Sequence, residues 1–146
     1  MSKFGQLIVR PRRGEAILDL ATRPIVTENA AELPVVRHIL IDKKLVPETI
    51  LYQAMHSVDA LQTRPPHYQK PHSHDFVETY IFLGSGPDFT GLTAEVVFED
   101  ESHEIVAPAS VYIPPGLVHR YRMVSGSGIL IVTALKSEYG YRAASA

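Results

Sequence analysis

The chain has 146 residues, 45% hydrophobic and 21% charged, with a formal net charge of −2, which suits one globular domain with a single core. So even a balance argues against nucleic acid or an anionic membrane as the main partner, and no stretch reaches the ~18–20 apolar residues of a membrane span. With no cysteine, disulfides, thiolate metal sites, iron–sulfur clusters and cysteine nucleophiles are excluded, so a metal site must use imidazole nitrogen and carboxylate oxygen.

Eleven prolines and nine glycines are scattered among short apolar runs, a pattern that disfavours long helices. The first apolar run stops at Val9, too early for a signal peptide, so the expected location is the cytoplasm. Residues Lys3 to Val9 read as a short strand. The basic run Arg10-Pro11-Arg12-Arg13 reads as a solvated arm, and Glu28 to Leu33 as a helical turn before Pro34.

Strand signals then recur. Val35 to Ile41 is rich in β-branched residues, and Thr49 to Val58 follows Pro47. His72 to His74 is a short extended piece, and Glu78 to Leu83 alternates polar and apolar residues. Gly84 to Asp88 is a turn by composition. Leu92 to Phe98 and His103 to Val106 are strands around a hairpin loop at Glu99 to Ser102. Val111 to Ile113 leads into a tight turn at Pro114-Pro115-Gly116. Leu117 to Val124 and Ile129 to Ala134 are strands separated by a turn at Ser125 to Gly128. About nine short strands at roughly 8–12-residue spacing indicate an all-β sandwich or barrel. Residues 1–45 form an N-terminal extension, 46–136 the barrel, and 137–146 a loose tail onto which Tyr139 and Tyr141 could pack.

His72 and His74 lie two apart on an extended segment, so they point to one face. A short turn at Asp75-Phe76-Val77 can return Glu78 beside them. Two imidazoles and a carboxylate with open positions suit Fe(II), and also Mn, Ni, Co or Zn. A fourth ligand is available: Pro115-Gly116 can reverse the chain and deliver His119, because a small barrel brings distant strands together.

The pattern His72-x-His74-x-x-x-Glu78 followed by Gly84, then Pro114-x-Gly116-x-x-His119, resembles the two motifs of the cupin superfamily over residues 66 to 123. That resemblance implies a six- to eight-stranded jelly-roll-like β-barrel and one divalent metal held by His72, His74, Glu78 and His119. The family's motif-opening glycines fall on Pro66 and Pro108 here, the glycine closing the first motif on Ser85, and the asparagine ending the second on Met123. None of these departures removes a ligand.

Strand parity predicts what surrounds the ion. If Glu78 points inward, so do Tyr80 and Phe82; if His119 does, so do Tyr121 and Met123. Arg120 and Arg122 then face outward. Tyr80, Tyr121 and His56 are the candidate proton-transfer residues, along with metal-bound hydroxide. His67 is read as a loop residue with a possible place at the rim, and His38 and His103 as surface residues or satisfied partners.

The expected function is a metal-dependent enzyme acting on a small oxygenated substrate, a keto acid, polyketide-like or sugar-derived compound. Dioxygenase and non-redox isomerase, cyclase or lyase chemistry are both open, and analogy with the fold leans to the dioxygenase. A non-catalytic module that binds or senses a small ligand through the metal is the alternative. The N-terminal extension is expected to cover a sheet edge in a homodimer.

Overall fold

The computed structural model describes residues 3–13, 36–59, 71–136 and 142–143. The turn expected at Glu28 to Leu33, together with His67, Tyr139 and Tyr141, lies outside them. The described residues form ten strands: β1 (Arg12–Arg13), β2 (Val36–Ile41), β3 (Tyr52–Asp59), β4 (His72–Ser73), β5 (Glu78–Gly84), β6 (Leu92–Phe98), β7 (Glu101–Val106), β8 (Ala109–Ile113), β9 (His119–Ala134) and β10 (Arg142–Ala143). Among these residues no helix is long and apolar enough to cross a membrane.

Every pairing is antiparallel. One sheet runs β1-β2-β3-β9-β5-β8 and the other β10-β4-β9-β6-β7. β9 belongs to both. Its first half pairs with β4 and β6, its second half with β3 and β5. This is the jelly-roll architecture expected from the sequence.

Alternation decides which side chains are buried. Along β5 every second residue, from Glu78 through Tyr80 and Phe82 to Gly84, is buried. Cross-strand partners share a face, so Tyr80 joins Val111 and Val132, and Phe82 joins Leu130. From the other sheet come Leu92, Ala94, Val96 and Met123, completing the main core. A second cluster of Ile39, Tyr52, Ala54, Phe76 and Ala134 lies next to the rung Tyr52–Ala134–Glu78. Complete burial of one such side chain contributes roughly 1.5–3 kcal/mol.

The structure corrects several local readings. Lys3 to Val9 is not a strand. A 3-10 turn occupies Gly5–Leu7, and Phe4, Leu7 and Ile8 stay exposed because no sheet face receives them. Glu99 to Ser102 is not a four-residue loop: the hairpin turns on Glu99 and Asp100 alone, with Glu99 taking a positive φ of 54°. The basic run is not wholly solvated, since Arg12 pairs with the buried Asp42. Asp42 also accepts the backbone N–H groups of Lys44 and Leu45, at 3.1 Å each, and so closes the turn after β2. The expected loose tail contains β10, which pairs with β4.

Ser125 to Gly128 does not break β9 into two strands. The chain passes through this segment without leaving the ladder, crossing from β6, opposite Gly126, to β5, opposite Gly128. Glycine is required at the crossing. Gly126 has φ +86°, and a Cβ there would stand 1.9 Å from the Gly91 carbonyl oxygen; one on Gly128 would stand 2.1 Å from that of Leu83. The unbroken strand hides the turn residues' actual role, which is close passage of backbones.

Candidate metal centre

His72 stands on β4 directly opposite His119, the first residue of β9. A bend at Asp75-Phe76 turns the chain from His74 into β5, which opens with Glu78. The second motif is fastened to the first by backbone: Gly116 N–H donates to the His74 carbonyl at 2.8 Å. Pro115 and Gly116, with Gly116 at φ +83°, make the turn that this bond needs, because a side chain at that φ would be strained. His119 follows three residues later.

The result is a cluster of three buried imidazoles. Ligand atoms of His72, His74 and His119 lie within 4.8 Å of one another. Glu78 Oε1 lies 3.2 Å from His74 Nε2 and 3.4 Å from His119 Nε2. Exposure of the four residues runs from 0% for His72 and Glu78, through 1% for His119, to 4% for His74.

Two of the imidazoles are oriented by main chain. His74 Nδ1 faces the Phe76 carbonyl oxygen at 3.2 Å, and His119 Nδ1 faces that of Leu117 at 2.8 Å. A carbonyl only accepts, so Nδ1 carries the proton, and in the neutral ring Nε2 presents a lone pair. Those lone pairs point at a carboxylate, which is itself an acceptor. Nε2 of His119 and both Glu78 oxygens are buried with no hydrogen-bond partner. Such an arrangement is stable only if a positive charge sits among the acceptors, either a proton on an imidazole or a bound cation.

A divalent cation fits the donor set. Adjacent ligand atoms around an ion with bonds of ~2.1 Å stand roughly 3.0–3.4 Å apart, which is the spacing of Glu78 Oε1 from its two imidazoles. The electrostatics agree. Burial alone raises the Glu78 carboxyl; where the metal-free imidazoles take up the proton, hydrogen bonds from His119 and His74, and then their charge, outweigh it and lower the carboxyl from 4.5 to about 2. The carboxylate is therefore ionised at neutral pH and available as a ligand.

The other expected residues are placed unevenly. Tyr80 is buried, its ring centroid 6.1 Å from that of His119 and 5.2 Å from that of Tyr121. Tyr121 is half-buried and packs against the same core. His56 is buried and shares the interior face, but the register aligns it with Leu130 and Phe82. That is four residues along the ladder and two strands across from Glu78, about 13 Å and about 10 Å. It is not brought to the imidazole cluster. His38 is half-buried, and the exposed His103 pairs with Glu101 at 2.6 Å. Arg120 and Arg122 are half-buried, and Arg122 meets Glu95 at 3.3 Å.

Sequence reasoning missed the supporting groups. Phe76 stacks on His74 with centroids 4.3 Å apart and planes inclined by 6°. Leu117 supplies a carbonyl, and Tyr52 stands on the same rung as Glu78. The carbonyl contacts share a signal that was present in the chain: each comes from a residue two positions from its histidine.

No protein-family model and no curated protein matches the sequence. Solved structures do match in shape. The chain superimposes over its whole length on 87% of the polyketide cyclase RemF from Streptomyces resistomycificus, with TM-score 0.61 and 17% identity. It covers 94% of itself and 85% of a cupin 2 domain-containing protein from Halorhodospira halophila, with TM-score 0.59 and 17% identity. An oxalate decarboxylase from Bacillus subtilis is matched by 78% of this chain over 28% of its own length, with TM-score 0.52 and 15% identity. The fold is that of the cupin superfamily.

Proposed function

We propose that the chain is a metal-dependent enzyme that holds one divalent ion through His72, His74, Glu78 and His119 and acts on a small oxygenated organic molecule. The reading rests on one observation: three buried imidazoles and an ionised carboxylate converge, with two of the imidazoles turned so that lone pairs face the carboxylate. A divalent ion bound there would supply Lewis acidity, polarising a carbonyl and acidifying the carbon beside it.

The chain's own residues would do the rest. Main-chain carbonyls fix the ligand tautomers. Tyr80 and Tyr121 line the wall next to His119 and offer two phenol hydroxyls to orient a keto acid, polyketide-like or sugar-derived substrate and to move a proton. His56, on a distant rung, is assigned no contact with the reacting atoms.

Of the chemistries open to the site, non-redox cyclisation, isomerisation or lyase reaction is favoured over dioxygenation. One neighbour that overlays the full chain is a polyketide cyclase, and the aromatic wall suits an extended conjugated substrate. Elemental analysis of protein purified without added metal, followed by assay on enolisable polyketones with an oxygen electrode, tests the reading. One divalent ion per chain and product without oxygen uptake support it. Iron with oxygen uptake converts the reading to a dioxygenase, and protein that binds no divalent ion ends it.

One feature favours a second reading, a ligand-binding or sensing module: the four ligand residues are almost wholly enclosed. A small molecule retained through purification without turnover identifies that case.

We also propose a homodimer in a reducing cytosol. Among the described residues β8 is an edge strand without a charged residue, and Tyr112 on it is exposed, whereas β7, an edge strand of the other sheet, carries Glu101 and Glu104. Uncharged edges invite pairing with a second chain. A monomer by light scattering at micromolar concentration refutes the dimer.

A further inference from the structure

We propose that Phe76 is a positioning residue for the metal centre, holding His74 in the plane and tautomer that ligation needs. The inference rests on the metal reading of the site and adds a residue outside the ligand set. Phe76 engages His74 twice: its ring lies parallel to the imidazole at 4.3 Å, and its carbonyl oxygen faces Nδ1 at 3.2 Å. The carbonyl sets which nitrogen carries the proton, and the ring sets the plane in which Nε2 points. Either alone leaves one degree of freedom. A lone hydrogen bond lets the imidazole tilt about Nδ1···O, and a lone stack lets it flip and exchange its nitrogens.

Phe76 is itself held. It is 5% exposed and packs with Ile39, Tyr52, Ala54 and Ala134. Lys136 Nζ lies 5.6 Å from the centroid of its ring and 3.1 Å from Asp75 Oδ1, a cation–π contact and an ion pair on adjacent residues of the same bend. Backbone adds a third tie, Leu135 N–H to the Val77 carbonyl at 3.0 Å. The end of β9 is thus clasped to the bend that carries Phe76. His119 has a carbonyl partner but, among the described residues, its aromatic contacts with His74 and Tyr80 are edge-on.

The test is Co(II) titration of metal-free protein, followed by visible absorption and equilibrium dialysis, with ¹⁵N NMR of the imidazoles before metal is added. Phe76→Leu keeps the backbone carbonyl and an apolar side chain but removes the ring. The expected result is Co(II) affinity about 10-fold weaker, the low end of the range for groups that orient ligands. In the metal-free variant, His74 ¹⁵N shifts should also move from the Nδ1–H form toward a tautomer mixture, because an imidazole free to tilt loses the aligned bond from Nδ1–H to the residue-76 carbonyl. Phe76→Tyr, which retains the ring, should restore both.

Phe76→Leu with wild-type affinity and wild-type His74 shifts overturns the role of Phe76. If His74→Ala still loses affinity in the same titration, the metal reading survives that result. Wild-type protein that takes up no Co(II) overturns both. Should Phe76→Leu fail to fold by circular dichroism, Phe76→Met is read by the same two measurements and the same criteria.

Discussion

Replacing Glu78 by glutamine removes one negative charge while keeping the shape of the side chain. In the metal-free protein the carboxyl is held at about 2 rather than 4.5 by His119 and His74, against the opposing effect of burial. At about 1.4 kcal/mol per pH unit, that difference corresponds to about 3 kcal/mol of folding stability. The folded-state value lies below the unfolded one. The contribution is therefore complete above about pH 4.5 and is lost as the pH falls toward 2. Other carboxylates titrate over the same range, so the informative quantity is the difference between two proteins. Urea unfolding of metal-free wild type and Glu78→Gln, at intervals from pH 6 to pH 2.5, supplies it. Wild type should lose most of about 3 kcal/mol more than the variant on acidification, and the two curves should converge at the acid end. Parallel curves would show that the carboxylate gains nothing from its imidazoles, and the electrostatic description of the site would be wrong.

His119→Ala should lose its divalent ion, or bind it at least 10-fold more weakly, while far-UV circular dichroism remains that of a β protein; unchanged metal stoichiometry contradicts its assignment. Metal affinity of the wild type should fall below about pH 6, because protons compete for imidazole, and equilibrium dialysis across pH 5–8 measures it. Tyr80→Phe should lower kcat with metal content unchanged, by roughly 100-fold if its hydroxyl moves a proton; steady-state kinetics on the identified substrate separates this from a loss of ion. Gly126→Ala should cost roughly 3 kcal/mol or more, since a positive φ and a backbone clash at 1.9 Å are imposed together; a urea midpoint equal to wild type would refute the close-crossing role.

The ligand residues were legible because their signal is local. His72 and His74 share a face by strand period, and Glu78 begins the next strand after a short bend. Parity likewise put Tyr80, Phe82 and Met123 inside, where they are. His119 needed the turn chemistry of Pro115-Gly116, also local. What stayed hidden depends on tertiary register. His56 has the right face and the wrong rung, and only the pairing with Leu130 and Phe82 shows it. Phe76 reads as one apolar residue in a turn until the bend lays its ring on His74. The strand expected over Lys3 to Val9 failed for a related reason: strand propensity without a sheet face to cover does not hold a strand.

The glycines between Ser125 and Gly128 join these two kinds of information. Their composition signals a turn, while the pairing records an unbroken strand. Both are correct about the path. A straight strand of that length would place its ends ~50 Å apart. Yet His119, at one end, brings Nε2 within 3.4 Å of Glu78 Oε1, and Glu78 is paired with Ala134 at the other. The two ends of β9 are therefore within roughly 20 Å, given side-chain reach and one inter-strand step. The chain must fold over at Gly126 and Gly128 while its neighbours change from β6 to β5. That fold carries His119 in one sheet to Glu78 in the other. The crossing glycines lie far from the imidazoles along the strand, yet they determine whether nitrogen and oxygen ligands meet at all, so a change there should disturb metal affinity through the alignment of the two sheets, with every ligand residue intact.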